Sequence, residues 1–556
     1  MTVRIWRMLV GGSLLLFFAL FLLLPVGTVV AEGCDPRIFA EIWNNPVYRG
    51  GLLNSLGLAL LTTALVFVIA MPLAVFADRY EFPGKTFWNA MILAPMILPP
   101  FVGALGFQQL FGWYGAVNAI LRQCGLGPVD FLGGEGRFFA VAVTEALHLY
   151  PILYLNLAAA LANLDPALDE AARNLGASRT RRFFGITLPL IRPGILAGGS
   201  LVLIWSFTEL GTPLMFGFTR VTPVQIFDGI SELESNPLPY ALVLILMLVS
   251  SLLYLAGRSL TAGGAGASTA KGAAGSSAVK LSGFAKYLPG IAFGAVTLLA
   301  ILPHIALILI AFSRDYYHTP FPASWTLQHF RDALGDKLVV PSIFNSIRYS
   351  FAATILALVT GVACAVLVVR WKPRGALGFD LLSMMPLAVP GIVMAFGFLG
   401  MTVKFAWAGR LLDPVENPLL LLAGAYAVRR LPYVMRATAS GLEQTPEVLE
   451  EAGLSVGASR FRVFRKILVP LVTANLLIGG LFAFSFSMLE VSDSLILVQK
   501  SAFYPITKAI FELSQILGSG PFTAAAFGVW TMAFMAATLG AASVILGKKL
   551  GALFRF

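Results

Sequence analysis

The sequence contains two copies of a short motif rich in small residues, Asp-Glu-Ala-Ala-Arg-Asn-Leu-Gly-Ala-Ser-Arg at 169–179 and Glu-Glu-Ala-Gly-Leu-Ser-Val-Gly-Ala-Ser-Arg at 450–460. The copies are 281 residues apart, and a proline follows each at the same distance, at Pro189 and Pro470. A match that recurs once, at a period of about half the chain, indicates duplication of a whole domain rather than a solenoid of short repeats. The motif therefore divides the chain into two related halves.

Long apolar stretches surround both motifs. Of the 556 residues, 58% are hydrophobic and 12% are charged, whereas average proteins have about 45–50% and about 25%. Each stretch of about twenty apolar residues could cross a membrane core of about 30 Å as a helix. This composition excludes an ordinary soluble enzyme and predicts an all-α polytopic membrane protein. The twelve predicted spans lie near 8–31, 52–77, 87–112, 138–162, 193–216, 238–257, 287–312, 343–370, 377–403, 417–440, 472–497 and 523–547.

The similarity between the halves extends beyond the motif. Glu209 matches Glu490 at the offset of 281, and an offset of 291 applies earlier in the chain. The pairs at 291 are Asn54 and Asn345, Ser55 and Ser346, Pro95 and Pro386, Pro99 and Pro390, Gly106 and Gly397, and Phe107 and Phe398. The paired prolines are expected to bend the third and ninth spans. Because six spans per half is an even number, both halves insert in the same orientation, related by a pseudo-twofold axis along the membrane normal.

A segment rich in Gly, Ala and Ser separates the halves, which is typical of a flexible linker. We predict a first repeat at 1–257, a linker at 258–286 and a second repeat at 287–556. With both termini in the cytoplasm, most Lys and Arg residues fall in cytoplasmic loops, as the positive-inside rule expects. The excess of 39 Lys and Arg over 28 Asp and Glu is therefore explained by membrane topology and is weak evidence for nucleic acid binding.

Each motif predicts two short helices joined by a turn. In the first copy, Asp165 can cap the first helix, and Gly176 suits the left-handed residue that follows it. Ser178 can cap a second, arginine-rich helix, which is expected to end before Pro189 because proline disrupts a helix interior. The second copy predicts the same elements from Thr445, Gly457, Ser459 and Pro470.

This motif resembles the E-A-A loop of the membrane subunits of binding-protein-dependent ABC importers, in which Glu-Ala-Ala is followed by Gly, a hydrophobic residue and Leu-Pro. In that family the loop is a coupling helix that docks in a cleft of the ATP-hydrolysing subunit. The resemblance covers the chain and implies two six-helix permease repeats of the type I fold. In the second copy Gly453 replaces the second alanine, so its first helix is expected to be weaker. The implied coupling residues are Glu170, Ala171, Ala172, Gly176, Glu451, Ala452 and Gly457.

The resemblance also implies the partners. Two coupling loops imply two copies of a cytoplasmic ATPase, which would bind ATP and Mg, and an external or periplasmic binding protein would deliver substrate. No cofactor is expected on this chain: Gly84-Lys85-Thr86 has the tail of a phosphate-binding loop, but Arg79 stands where the first glycine is required. The implied location is the bacterial inner membrane, with lipid around the helices and no nucleic acid partner.

A narrower resemblance suggests the substrate. A single chain holding both halves resembles the fused permeases of the ferric-iron importers, and the stretches at 98–107 and 207–213 look like that subgroup. Permeases for thiamine, a phosphonate or another small solute are alternatives, because some of these are also fused. In a different class, a twelve-helix secondary transporter of the major-facilitator type would have the same two halves but would run on an ion gradient.

Four carboxylates fall inside predicted spans, where an unpaired charge is costly, so each should face a partner or a wet cavity. Glu209 and Glu490 are repeat equivalents and are candidates for a path between the halves, together with Glu145. Carboxylate oxygens would suit a hard cation such as ferric iron. The alternative role for these residues, and for Asp493, is an interhelical hydrogen bond that holds the bundle together.

Three residues near these carboxylates have predicted structural roles. His148 lies one turn from Glu145, and the two are expected to satisfy each other. The residue equivalent to His148 in the second half is Arg429, which is followed by Arg430. We expect this arginine pair to anchor the cytoplasmic end of the tenth span rather than to select substrate.

The cysteines and histidines do not indicate a metalloenzyme. Cys34, Cys124 and Cys364 form no C-x-x-C pair, and the four histidines are scattered. Metal ligands therefore remain unassigned. Because Cys34 and Cys124 both fall in predicted outer loops, these two could form one disulfide.

Overall fold

The computed structural model of the protein describes residues 2–97, 100–233, 235–262 and 279–546. The bend expected at Pro99, most of the linker predicted at 258–286 and the C-terminal tail lie outside the described residues. The described chain is helical apart from two short strands, an isolated bridge and the connecting turns.

The first half contains fifteen described α-helices. Two of its outer helices begin with a capping side chain followed by proline, since Asp35 accepts a hydrogen bond from the Arg37 N–H at 2.8 Å and Asn45 from the Val47 N–H at 2.9 Å. The helices are α1 (Thr2–Phe18), α2 (Leu24–Gly33), α3 (Pro36–Asn44), α4 (Pro46–Arg79), α5 (Lys85–Met91), α6 (Ala94–Ile97), α7 (Pro100–Phe111), α8 (Ala116–Gln123), α9 (Gly136–Ala162), α10 (Pro166–Asn174), α11 (Arg179–Arg182), α12 (Leu188–Phe207), α13 (Gly211–Met215), α14 (Thr222–Asp228) and α15 (Leu238–Ala262).

The second half repeats the order of the long helices. Its helices are α16 (Leu288–Phe312), α17 (Gln328–Gly335), α18 (Val339–Ala365), α19 (Ala376–Ala388), α20 (Gly391–Lys404), α21 (Ala406–Leu411), α22 (Leu419–Glu443), α23 (Val448–Ser455), α24 (Arg460–Val463), α25 (Val469–Met488), α26 (Ser492–Leu497), α27 (Ile506–Gln515) and α28 (Gly520–Leu546). The bounds of α12 and α25 differ by the same 281 residues that separate the two motifs. The duplication seen in the sequence is therefore a duplication of structure.

The predicted all-α membrane fold is confirmed. Among the described residues, nine helices are long and apolar enough to cross a membrane, and two bent helix pairs bring the number to eleven. The remaining predicted span is α22, whose composition is interrupted by Arg429, Arg430 and Arg436. It is equivalent to the apolar helix α9, and its arginines explain why it is less hydrophobic than the other spans.

The third and ninth spans are bent, as their prolines predict. The helices α19 and α20 meet at 103° where Val389 and Pro390 interrupt them, and the pair around α6 and α7 bends by 91°. Pro390 has an extended backbone with φ −57° and ψ 146°, and the residue before a proline is itself driven away from the helical region. Both halves therefore turn a broken span toward their common interface.

The prediction that the arginine-rich helices end before a proline is wrong. Each continues through a π turn, Phe183–Thr187 or Phe464–Leu468, into the long helix α12 or α25. Pro189 and Pro470 occupy the first turn of these long helices, where the missing amide hydrogen costs least. The wider π turn just before each proline absorbs the local mismatch, so each motif is rigidly connected to a membrane span.

The first helix of each half packs against the third span of the other half. Helix α2 lies on α20, and α16 lies on α7. A Cβ atom added to Gly106 would overlap the Pro303 carbonyl oxygen, and one added to Gly397 would lie 2.5 Å from the Pro25 carbonyl oxygen. The two glycines are repeat equivalents, so the same close backbone contact joins the halves twice.

The end of the linker pairs with the first half. Strand β1 (Tyr80–Glu81) follows α4, and β2 (Val279–Lys280) pairs with it in parallel, with Tyr80 opposite Val279. A 3₁₀ turn at Gly283–Tyr287 then leads into α16. This small pairing was not expected from the composition of the linker, and the domain boundary predicted there remains a prediction.

The structure does not contain the disulfide considered above. Cys34 and Cys124 are exposed free thiols, and Cys364 is buried and also free. A disulfide needs the two Cα atoms to lie roughly 4.4–6.8 Å apart. The positions of two cysteines along the sequence do not show whether their loops come that close. No disulfide therefore joins Cys34 to Cys124 in the part of the chain that the structure describes.

The contact between the halves predicts the effect of adding a methyl group. Gly106→Ala and Gly397→Ala should each lower the stability of the purified protein by about 1–3 kcal/mol, because a Cβ atom there pushes two backbones apart. Gly199→Ala in α12 is the matched control, since its Cβ would meet nothing within 4 Å. Thermal unfolding in detergent measures the stability of all three variants. Equal stability of the three would contradict the interpretation that Gly106 and Gly397 lie at close backbone contacts.

Candidate functional site: a central cavity and two loops

A cavity of about 270 Å³ lies between the two halves. Its wall is built from α9 and α12 of the first half, from α22 and α25 of the second, and from both bent spans through Pro100 and Pro390. The three residues predicted for a path, Glu145, Glu209 and Glu490, all line this cavity. Their contact with transported substrate remains a prediction.

The arginine pair of α22 points into this cavity, so its predicted role as a cytoplasmic anchor is wrong. Arg429 Nη1 lies 2.5 Å from Glu490 Oε1 and 3.1 Å from Asp493 Oδ2, and Arg430 pairs with the other oxygen of Glu490. Arg430 also donates to the Phe486 carbonyl at 3.0 Å. Arg429 lies ten residues into α22, about 15 Å from its start, and not at an end of the helix. Buried carboxylates hold it there.

Glu145 and His148 do not satisfy each other as predicted. The Ser206 hydroxyl and, at 3.4 Å, the Thr62 hydroxyl donate to Glu145 Oε2. His148 Nδ1 lies 2.8 Å from the Pro95 carbonyl oxygen. In a regular helix the Pro95 carbonyl would accept a hydrogen bond from the backbone N–H of the residue four positions later. That residue is Pro99, which has no backbone N–H. The histidine therefore satisfies a carbonyl that the bend leaves open.

Glu209 lies just beyond the end of α12. Its Oε1 atom accepts from the Thr212 N–H at 3.3 Å and lies 3.5 Å from the Thr212 hydroxyl. This places the carboxylate at the start of the short helix α13, where a negative charge is favoured by the exposed N–H groups. Among the described residues, neither Glu209 nor Glu145 forms an ion pair with Lys or Arg.

The repeat register reveals a charge difference between the two walls. Residues of the two walls correspond at the offset of 281. The pairs are Glu145 and Tyr426, His148 and Arg429, Leu149 and Arg430, Glu209 and Glu490, and Thr212 and Asp493. The second-half wall thus carries two arginines and two carboxylates, which neutralise each other. The first-half wall carries two carboxylates without an arginine. The cavity carboxyl groups that lack a basic partner among the described residues are therefore those of the first half.

The first motif folds as predicted. Asp165 Oδ1 accepts from the Ala167 N–H at 2.9 Å at the start of α10, and Ser178 Oγ accepts from the Arg181 N–H at 3.3 Å. Gly176 has φ +79°, the left-handed conformation that favours glycine. These three local features together produce the tight turn between the two helices.

The second motif departs from the prediction at its start. Gly457 has φ +84°, and Ser459 caps the next helix through the Arg462 N–H, as expected. Thr445 does not cap α23, because its hydroxyl donates to the Gly441 carbonyl of α22 at 2.9 Å, and α23 begins only at Val448. This delayed start, rather than a glycine alone, shortens the helix.

The structure also explains the glycine that replaces alanine in the second motif. Gly453 is buried, and a Cβ atom there would lie 2.7 Å from Ile467 Cδ1. The equivalent Ala172 is half-buried and has room for its methyl group. An alanine in the second loop would therefore need Ile467 to shift, whereas the first loop accommodates one.

The outer surfaces of the two motifs are exposed and contain an apolar tip. The predicted coupling residues Glu170, Ala171, Glu451 and Ala452 are exposed, as are both turn glycines. The equivalent apolar residues Leu175 and Val456 are 88% and 85% exposed. Single exposed apolar residues are common, but two at equivalent positions on equivalent turns present matching small surfaces.

The second motif is fastened to the bundle by an arginine that the sequence did not single out. Arg370, whose side chain is 8% exposed, lies 2.5 Å from Glu450 Oε1. It also donates to the carbonyls of Leu442 at 2.9 Å and Thr445 at 2.7 Å. Its repeat equivalent at the offset of 291 is Arg79, so the register itself was the signal that could have marked it.

The first motif is fastened differently. Arg79 donates to the Thr187 hydroxyl at 3.1 Å and stacks over the Phe183 ring, both in the π turn before α12. The acid equivalent to Glu450 is Asp169, which pairs with Arg182 of the same motif. The first motif is therefore tied to the end of α4 through the π turn of its continuing helix, and the second is tied to α22 and to the turn that follows α18.

The described residues do not contain a group of three or more His, Cys, Asp or Glu side chains arranged to hold a metal ion. The path carboxylates are accordingly not a resident metal centre of that kind. The geometry is that of a small polar cavity between two halves, with two exposed loops on rigid helices. Such an arrangement can bind and release a solute.

Residues 70–261 and 357–548 each match the family described as "Binding-protein-dependent transport system inner membrane component". A putative ferric transport system permease protein, FbpB 1 of Haemophilus influenzae, is 26% identical over 474 residues, covering 83% of this chain and 72% of the relative. FbpB of Actinobacillus pleuropneumoniae, a ferric transport system permease protein, is also 26% identical, covering 83% and 66%. A probable molybdenum ABC transporter permease protein of Haloferax volcanii is 30% identical, covering 45% and 88%.

The two family matches coincide with the two structural repeats and together cover more than half of the chain. Members of this family are membrane subunits whose ATP is hydrolysed by a separate ATPase and whose substrate arrives on a binding protein. This excludes both a membrane enzyme and the secondary transporter considered above. The chain belongs to the inner membrane components of binding-protein-dependent ABC transport systems, as a fused permease that carries both halves in one polypeptide.

Proposed function

We propose that the chain is the translocation subunit of an importer for ferric iron, which an external binding protein delivers. The observation that carries this proposal is the imbalance between acidic and basic side chains in the central cavity. Its arginines are neutralised by Glu490 and Asp493, and Glu145 and Glu209 remain without a basic partner among the described residues. A cavity with excess carboxylate favours a hard cation over an anionic phosphonate or an oxyanion.

The similar proteins support the same substrate. The relatives that align with 83% of this chain are named for ferric transport, and the molybdenum relative aligns with 45% of it. Thiamine is the alternative that cavity charge alone does not separate from iron, since it is also a cation. The experiment below distinguishes them.

The proposed assembly has one ATPase at each exposed loop. The coupling surface comprises Glu170, Ala171, Ala172 and Gly176 on the first loop and Glu451, Ala452 and Gly457 on the second. Two equivalent loops on equivalent helices support two ATPase copies, which would hold ATP and Mg, while this chain would hold no cofactor. Both termini and the linker at 258–286 would then be cytoplasmic, between repeats at 1–257 and 287–556.

Transport would proceed by alternating access. Nucleotide-driven closure of the ATPase pair would bring the two loops together, and the rigid helices that follow them would reorient the halves around the cavity. Because the π turns connect each loop directly to α12 or α25, which end beside Glu209 or Glu490, movement of a loop would reach the cavity wall. The process is mechanical and involves no covalent step.

Isolation of the complex tests the proposed substrate. The tagged chain is purified from native membranes together with its partners. Mass spectrometry should find a pair of ATPase subunits and an external binding protein. Elemental analysis should find about one iron atom per molecule of binding protein. Thiamine or a phosphonate on the binding protein would overturn the substrate and keep the importer. If the complex is stable in mild detergent and contains one ATPase subunit, the proposal of two ATPase copies would be contradicted.

The different fastening of the two loops predicts unequal effects of two equivalent arginines. Arg370→Gln removes charged hydrogen bonds worth about 1.5–3 kcal/mol each and frees the second loop from α18 and α22. We expect about a tenfold fall in uptake per ATP hydrolysed. The matched control Arg79→Gln leaves the Asp169–Arg182 pair of the first loop in place.

Coupling is measured in proteoliposomes as the ratio of substrate uptake to ATP hydrolysis. The Arg79→Gln variant should stay within about twofold of the unmodified protein, since the π turn still connects its loop to α12. Equal losses in both variants, or none in Arg370→Gln, would show that the Arg370 contacts do not transmit the movement.

A further inference from the structure

We propose that the first-half wall of the cavity is a cation subsite formed by Glu145 and Glu209, and that transported iron passes along this wall rather than along the pseudo-twofold axis. This inference rests on the proposed function, because it assumes a cationic substrate. The sequence suggested a symmetric pair, formed by Glu209 and Glu490 from the two halves. The proposed pair, Glu145 and Glu209, is asymmetric because both residues belong to the first half.

Glu145 provides the clearest sign of a ligand position. Its side chain lines the cavity but is only 2% exposed. The hydroxyl groups of Ser206 and Thr62 both approach Oε2, and Oε1 has no hydrogen-bond partner among the described residues. A buried carboxylate oxygen without a partner is costly and calls for an explanation. A cation entering the cavity would supply the missing interaction.

Glu209 is the second carboxylate of the subsite. It lines the same cavity as Glu145. Its described contacts, from the Thr212 backbone and hydroxyl, both use Oε1. A cation that contacts both carboxylates would be attracted by both charges, and the attraction is strong in a site of low dielectric.

The second-half wall is unsuited to a cation. Both oxygens of Glu490 are engaged by Arg429 and Arg430, and Arg429 also contacts Asp493. The position equivalent to Glu145 is Tyr426, whose hydroxyl lies 2.7 Å from Ser494 Oγ. The arginines occupy the carboxylate oxygens of Glu490, so that residue has no oxygen left to offer a cation.

A site of two carboxylates also suits the need for release. A transport path must bind its solute well enough to admit it and weakly enough to let it go. The described residues provide no third His, Cys, Asp or Glu ligand arranged with these two. The subsite therefore holds a cation transiently and is distinct from a permanent metal centre.

The test uses the complete complex in proteoliposomes, with its ATPase and iron-loaded binding protein. Glu145→Gln and Glu209→Gln keep the size and hydrogen bonding of a neutral acid but remove the charge. Each should lower uptake of radioactive iron by about tenfold, because one of two charge interactions is lost. ATP hydrolysis stimulated by the binding protein should persist, since the loops are unchanged. The control is Glu135→Gln, whose side chain is 81% exposed outside the cavity.

The outcomes separate the subsite from the proposed function. If the unmodified complex takes up no iron, the proposed function and the subsite both fail. If it takes up iron and both glutamine variants match it, the proposed function stands and the subsite is wrong. Should Glu145→Gln fail to assemble, Glu209→Gln decides alone, with Glu209→Asp expected to recover uptake because it restores the charge. Equal loss in Glu209→Gln and Glu209→Asp would indicate a packing role and overturn the proposal.

Discussion

The structure depends on one repeated constraint, the close backbone contact between the first helix of each half and the third span of the other. Gly106 meets the Pro303 carbonyl, and Gly397 meets the Pro25 carbonyl. Because each half contributes a helix to the other, the halves form one bundle rather than two domains joined by a linker. The bent spans α6–α7 and α19–α20 are held at this contact, and their bends open the cavity between the halves.

On this symmetric scaffold the side chains have diverged. The long helices of the two halves correspond in sequence register, yet one cavity wall has two arginines where the other has His148 and Leu149. The loops show the same divergence, since the acid of the second loop, Glu450, pairs with Arg370 outside the loop, whereas the equivalent Asp169 pairs with Arg182 of its own loop. A fused chain allows this, because each half can change without altering its counterpart.

Much of this architecture could be predicted from the sequence, because spans, repeats and glycine turns are local or periodic signals. The interpretation of Arg429 failed because the positive-inside rule uses order along the chain, whereas its partners Glu490 and Asp493 lie about sixty residues away. Thr445 was misjudged for a similar reason: its hydroxyl had a competing acceptor in the preceding helix. Such choices depend on distances in the folded state, and the unpartnered oxygen of Glu145 has no sequence signal at all.

The central claim is that ATP drives the two loops together. Leu175→Cys and Val456→Cys, in a chain whose three native cysteines are replaced by serine, allow spin labels at the exposed tips and a distance measurement between them. In the complex with its ATPase and binding protein, the account predicts that ATP shifts the distance distribution to shorter values. A distribution unchanged by ATP, in a complex that still hydrolyses it, would contradict the account.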